Sequence, residues 1–522
     1  MGEAAAASGP DFSKGVRLSE VPPGGTLAGR VGDEPVLLSR LGGEMHAVGG
    51  ACTHYGGALA EGLIDGETVR CPLHHACFSL RTGAALSAPA FAGLQAWQVE
   101  LEGEQVFIRR KLEAEVRAPA SPAACDVRSI VIAGGGAAGF ACAHALRRLG
   151  YQGRITMLSA DADPPCDRPN LSKDYLAGTA PPEWIPLREE GWYREAGIDL
   201  CLGTEIVGID AQERRVHARS GEAFSFDRLL LATGSESNRL DAPGFDRDNV
   251  FTLRSVADAA AIAARAASGS RAVVIGSSFI GLEAAAALVK RGLRVDLVSP
   301  ERVPFERVFG AEVGSFFQAL HERHGVRFHL GTVATAFDGH AVDLADGERI
   351  DADFVLVGVG VRPRLELAHS AGIAVEQGVC VDPFLETGVT GIFAAGDIAA
   401  YPDPAGGGRL RIEHWVVAER QGQVAAANML GLKQRFEAVP FFWTEQHGVA
   451  LRYTGHAARW DRVGIEGDVA SGSFIARYYD DGVHRASASV GRDLDNLEDE
   501  RRLENLAGAG TSGVALGSNP QS

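Results

Sequence analysis

The chain has 522 residues, room for three or four domains, and its 46% hydrophobic and 22% charged residues are ordinary for a folded protein with full-sized cores. A formal net charge of −17 argues against a broad nucleic-acid surface, because neutralising phosphates takes Lys and Arg. The opening MGEAAAASGPDFSKG has no basic segment followed by an apolar run, and no apolar stretch reaches bilayer length, so neither a secretory signal nor a membrane span is expected. The eight cysteines are scattered, with no Cys-x-x-Cys or Cys-x4-Cys pair, which excludes a redox-active vicinal disulfide and points to a reducing, cytoplasmic compartment.

Residues 11–110 read as a small all-β unit, with short alternating or apolar runs such as EPVLLSRL and QAWQVELEGEQVFIRR bounded by Gly and charge. Within it stand Cys52-Thr-His54 and Cys71-Pro-Leu-His74. Two thiolates and two imidazoles fit either a structural zinc or a 2Fe-2S cluster with Cys on one iron and His on the other. The Cys-His/Cys-His order, Pro72 and the all-β setting favour iron–sulfur, with zinc as the alternative. The spacing resembles the Rieske family over about the first 110 residues. That resemblance implies a low-potential, ferredoxin-type centre: Gly57 and Leu73 stand where high-potential members carry a loop disulfide, and Ala76 and Phe78 where they carry hydroxyl donors. It also implies that His54 and His74 form an exposed edge through which electrons leave. His75 is read as a loop residue and not a ligand, and Cys77 as a packing residue.

After an Ala/Pro-rich linker at 111–127, strand-like SIVIA leads into Gly134-x-Gly136-x-x-Gly139 and an amphipathic helix, the context that a dinucleotide-binding loop requires. Glycine lets backbone approach a pyrophosphate, and the helix N-terminus presents N–H groups to it. Residues 154–176, RITMLSADADPPCDRPNLSKDYL, resemble the flavin segment of ferredoxin reductases and apoptosis-inducing factors. The resemblance implies a ribose contact at Asp161 (Ala160 stands at the usual acidic place) and FAD contacts at Arg168 and Lys173. In the same way LLLATGS places Thr233 and Gly234 where the chain leaves the FAD domain, and GIFAAGDIA places Asp397 on the ribityl chain.

A second unit, RAVVIGSSFIGLEAAAALVKRG, carries Gly276-Ser-Ser278-x-x-Gly281, with Ser at the middle glycine position and Glu283 fitting the family pattern. The next strand ends at Ser299, with Glu301 two residues on. An acid there bonds the NAD ribose and an Arg, here Arg302, receives the NADP phosphate, so the reading leans to NADH. Gly358 and Gly360 match the stretch that closes the nicotinamide domain. Further on, Glu413, His414 and Trp415 precede a long helix that the family sets beside the flavin, and Trp443 stands where a C-terminal aromatic packs near the ring, with core packing as its alternative.

The whole chain is thus similar to apoptosis-inducing-factor-3-like and ferredoxin-reductase-like flavoproteins with a Rieske domain in front. The fold expected is multidomain: the all-β unit at 11–110, two doubly wound α/β domains for FAD (128–250 and 364–436) and NAD(P)H (251–363), a small α+β C-terminal domain at 437–508, and a disordered tail at 509–522. The function implied is transfer of electrons from NAD(P)H through FAD to the chain's own cluster and on to an unidentified acceptor protein or small molecule, with no side chain needed as acid or base in hydride transfer. Two other classes stay open: a redox-sensing FAD/NADH-binding homodimer with slow turnover, and the reductase component of a dioxygenase or nitrite-reducing system.

Overall fold

The structure, a computed structural model, describes residues 8–113 and 126–511. Most of the tail expected at 509–522 and most of the linker at 111–127 lie outside these residues; the first three residues of that expected tail are instead helical, the C-terminal helix continuing to Thr511.

The N-terminal unit is all β. A six-stranded antiparallel sheet runs in the order 16–17, 105–111, 96–102, 44–49, 34–41, 26–31. A four-stranded sheet (63–65, 68–70, 77–79, 85–87) is inserted in the chain between the strands 44–49 and 96–102. Leu37, Val48, Leu59, Val69, Phe78 and Leu80 fill the space between the sheets. This apolar floor holds the two loops that follow Gly50 and Arg70.

Two α/β units follow. The first is a parallel sheet in the order 198–201, 154–158, 129–133, 228–231, 392–394, and the second one in the order 250–251, 354–357, 271–275, 294–299, 327–330. Their central strands, Ser129–Ala133 and Arg271–Ile275, are continuous apolar runs because helices cover both faces of such sheets. Each runs through a Gly loop into a helix: α1 (Ala137–Arg148) in the first unit and α2 (Phe279–Lys290) in the second. An antiparallel pair, Ser235–Ser237 with Val361–Pro363, ties the units together.

Helix α3 (Trp415–Met429) returns to the first unit and lies directly on α1. A five-stranded antiparallel sheet in the order 441–446, 449–455, 483–490, 473–480, 462–468 and helix α4 (Asp493–Thr511) close the chain. Asn496, Asp499 and Glu500 of α4 are buried polar residues, a sign that this helix faces something other than its own sheet.

Candidate functional site

Each metal-ligand loop is closed by its own backbone. Cys52 N–H donates to Gly57 O at 2.9 Å, and Cys71 N–H donates to Ala76 O at 2.8 Å. These closures bring the four side chains together in pairs. The Cys52 and Cys71 thiols are buried and face each other within hydrogen-bonding reach; the shared bond, then burial, pushes the Cys52 thiol up. Nδ1 of His54 and Nδ1 of His74 lie 3.1 Å apart. Among the described residues, no three His, Cys, Asp or Glu side chains converge as a single-metal site would need. Two sulfurs on one side and two nitrogens on the other fit a two-iron cluster better than one tetrahedral zinc. Gly57 and Leu73 lie side by side but carry no thiols, so no disulfide joins the loops there; a Cβ on Gly57 would stand 2.9 Å from both Cys71 Sγ and Leu73 Cδ1. Ala76 and Phe78 are fully buried and offer no hydroxyl.

The histidine edge is not exposed, contrary to the sequence reading. The His74 ring packs 4.1 Å from Trp443 of the C-terminal sheet, and the His54 ring lies 6.3 Å from it. Burial pushes the His54 imidazole down to about 4 and holds that of His74 well below its ordinary value. The reason is docking against the rest of the chain, which no local spacing reveals. Tyr55 donates its hydroxyl to Asp167, and Arg452 Nε donates to Leu73 O at 3.0 Å. Gln423 Oε1 accepts from Ala88 N–H at 3.1 Å. His75, read from sequence as a loop residue, is buried; it stacks on Phe441 at 3.9 Å and its Nδ1 meets Glu500 at 2.8 Å. Glu500 also meets Arg70 and Arg420, each at 3.2 Å, and Arg70 reaches Glu504 at 2.7 Å. Cys77 is half-buried beside this network.

Trp443 also lines a cavity of about 1040 Å³ that runs between the two α/β units. The first and third glycines of both loops are demanded by packing. A Cβ on Gly134 would lie 2.1 Å from Ala232 O and one on Gly139 2.0 Å from Gly134 O; on Gly276 and Gly281 the distances are 2.3 and 2.0 Å, to Gly358 O and Gly276 O. The middle position differs. A Cβ on Gly136 would meet nothing nearer than Arg168 Nη1 at 4.0 Å, so the open space above it belongs to the cavity. Ser278 fills the equivalent place in the second loop and lines the same cavity. Space over one loop N-terminal to a helix, with Arg168 across it, fits a pyrophosphate.

Asp161 lines the cavity paired with Arg168 at 3.0 Å, and Thr233 and Gly234 line it too. Asp397 lines it paired with Arg254 at 2.8 Å, a residue that the sequence reading did not single out. Glu283, expected with the nicotinamide residues, lines the cavity and also joins the two halves. It accepts from Ser172 at 2.5 Å and Thr444 at 2.6 Å and pairs with Lys173 at 2.9 Å. Glu413, His414, Trp415 and Gly360 line the cavity as well, and burial pushes His414 down to about 3. Glu301 is not part of this wall; it accepts from Ser277 of the loop at 3.2 Å, while Arg302 is drawn away to Glu306 at 2.9 Å.

A doubled dinucleotide fold that shares one cavity, with a Cys2His2 two-metal site docked at its rim, defines a nicotinamide- and flavin-linked redox protein. Known proteins agree. Residues 128–422 match the model described as pyridine nucleotide-disulphide oxidoreductase, residues 14–98 the Rieske [2Fe-2S] domain, and residues 441–507 the reductase C-terminal domain. The chain is 35% identical over 461 residues to human (Homo sapiens) apoptosis-inducing factor 3, covering 85% of this chain and 76% of that protein. It is 38% identical over 351 residues to rhodocoxin reductase of Rhodococcus erythropolis, covering 66% and 82%. Among solved structures it resembles the covalent putidaredoxin reductase–putidaredoxin complex, with a TM-score of 0.71 and 32% identity over 73% of this chain and 94% of that one. The chain belongs to the pyridine nucleotide-disulphide oxidoreductase family. It is an FAD-dependent NAD(P)H oxidoreductase with an N-terminal Rieske 2Fe-2S domain.

Proposed function

We propose that electrons from NAD(P)H pass through FAD to the cluster of the same chain, and that the histidine edge receives them instead of releasing them. The observation that carries this reading is the seat of His74 on Trp443, whose indole also lines the cavity. The nicotinamide–flavin couple supplies two-electron hydride transfer and the cluster one-electron acceptance. The chain's residues place these groups. Gly134, Gly136 and Gly139 open the backbone to the FAD pyrophosphate, with Asp161, Arg168, Thr233, Gly234 and Asp397 around it. Lys173 and Glu283 clamp the flavin segment against α2 and the C-terminal sheet. Gly276, Ser278, Gly281 and Gly360 hold NAD(P)H, and Glu301 fixes their loop through Ser277. The acid Glu301 beside the loop supports NADH, with Arg302 drawn to Glu306 and Arg307 paired to Glu301 itself at 3.5 Å.

Cys52 and Cys71 hold one iron and His54 and His74 the other. Docking within one chain removes the diffusive encounter that a free ferredoxin needs. The final acceptor is a further protein or small molecule in the cytoplasm, and the division at 110, 127, 250, 363, 436 and 508 accompanies this reading. The test is Cys71→Ser in protein replete with FAD. NADH should still bleach the flavin, but one-electron delivery to an external acceptor such as cytochrome c should fall at least tenfold. Delivery equal to wild type would refute the path.

A further inference from the structure

Beside the histidine edge lies a polar group that electron transfer alone does not need. Tyr55 stacks on His54 with ring centroids 4.2 Å apart and donates its hydroxyl to Asp167, on the far side of the docking surface. Asp167 immediately precedes Arg168 of the cavity wall. Glu419 stands one turn beyond Trp415 on α3 and is only 1% exposed. Its Oε2 has no hydrogen-bond partner, and no cation forms an ion pair with it among the described residues. The neighbouring Arg420 is turned instead to Glu500 and to the carbonyls of Ala88, Val439 and His75.

An unpaired, desolvated carboxylate costs several kcal/mol, so such a group takes a proton and becomes neutral. Burial and then the charge of Asp167 hold Glu419 well above the usual carboxylate range, with Trp415 and Arg420 opposing weakly. Asp167 is also raised by burial, against the Tyr55 hydroxyl, Lys173 and the Asn170 N–H. Two carboxyls whose charges oppose, Glu419 sealed from water and Asp167 half-buried with Lys173 as the cation that faces it, settle most readily with one proton between them.

We propose that Asp167 and Glu419 form a proton-holding pair that carries one proton at rest, takes a second from water when the docked cofactors are reduced, and returns it on reoxidation. The inference rests on the proposed electron path. The electron comes from NAD(P)H and the proton from water; uptake forms an O–H bond on the Asp167 carboxylate and release breaks it. Negative charge added in a low-dielectric joint raises any carboxyl beside it, so the second proton follows the electron. The pair thereby lowers the cost of placing charge at a buried edge.

Infrared difference spectroscopy on the FAD- and cluster-replete protein, reduced anaerobically with dithionite, reads this directly. Oxidised wild type should show a protonated-carboxyl C=O band, shifted in D2O, that Glu419→Gln lacks. Reduction should add a second such band, which Asp167→Asn lacks. A pH-indicator dye should register one proton fewer per reduced protein in Asp167→Asn than in wild type, and undiminished uptake in Glu419→Gln, whose amide stands in for the acid already protonated at rest. If reduction of wild type adds no protonated-carboxyl band, the inference is overturned whether or not the variants fold. It is equally overturned if the added band persists in Asp167→Asn, or if oxidised Glu419→Gln keeps the first band. Dithionite loads both cofactors without the internal path. A cluster left oxidised by NADH would therefore count against the electron path, and a missing carboxyl signal against the proton pair.

Discussion

At the residue scale the two dinucleotide loops make a sharp contrast. The third glycine, Gly139, has no room for a methyl, because the added carbon would sit 2.0 Å from Gly134 O, whereas Gly136 faces open cavity. Gly139→Ala should therefore distort the loop and yield protein with little bound flavin and a lower melting temperature. Gly136→Ala should fold normally and weaken FAD by about tenfold, since only the ligand's approach is obstructed, a loss of about 1.4 kcal/mol by flavin-release titration. The same geometry explains how the second loop tolerates Ser278: its side chain intrudes on cavity and not on backbone. Ser278→Gly should lower the KM for NADH with kcat little changed. The four side chains that the structure brings together as candidate metal ligands, and both loops, were legible in the sequence because each is a local pattern, set by spacing and by strand–turn–helix context. Glu500 was not legible. Its partners Arg70 and His75 are 430 and 425 residues away, and a lone Glu in a charged helix reads as solvated.

At the scale of elements, α3 decides how the flavin unit meets the rest. It rests on α1 so closely that a Cβ on Gly422 would lie 2.2 Å from Ala138 O, and Gln421 accepts from Gly396 N–H at 2.7 Å just before Asp397. Gly422→Ala should part the two helices at a cost of ~1–3 kcal/mol, the range for overpacking a well-filled core, read by denaturant unfolding together with flavin loss. The residues on either side, Arg420 and Gln423, serve the docked Rieske domain. The sequence shows α3 plainly as an element beside the flavin. That the same helix also bears a second domain depends on which turns face outward after folding, and an amphipathic pattern does not encode the identity of what covers it.

For the whole molecule, docking fixes the direction of the histidine edge. The resemblance placed that edge in solvent; in this chain Trp443 packs on it, while Asp167, Phe441 and α4 hold the neighbouring Tyr55 and His75. Glu500 is the buried centre of that contact. Burial alone would raise its carboxyl, but His75, Arg420 and Arg70 hold it well below the usual range. A carboxyl lowered in this way contributes stability that is complete above its ordinary value of 4.5 and fades as pH falls below it. The docked state should therefore loosen on the acid side, seen as rising exposure of the Trp443 indole by fluorescence. Glu500→Gln should cost ~3 kcal/mol at neutral pH, because it leaves Arg420 buried without its counter-charge.

The most direct measurement of the electron path is anaerobic stopped-flow of the holoprotein with NADH at several protein concentrations, following flavin absorbance and trapping the cluster for EPR. Electron transfer within one docked chain predicts that the reduced-cluster signal rises after flavin bleaching with a rate constant that does not change with protein concentration. A rate that scales with concentration, or a cluster still oxidised once the flavin is fully reduced, would contradict it.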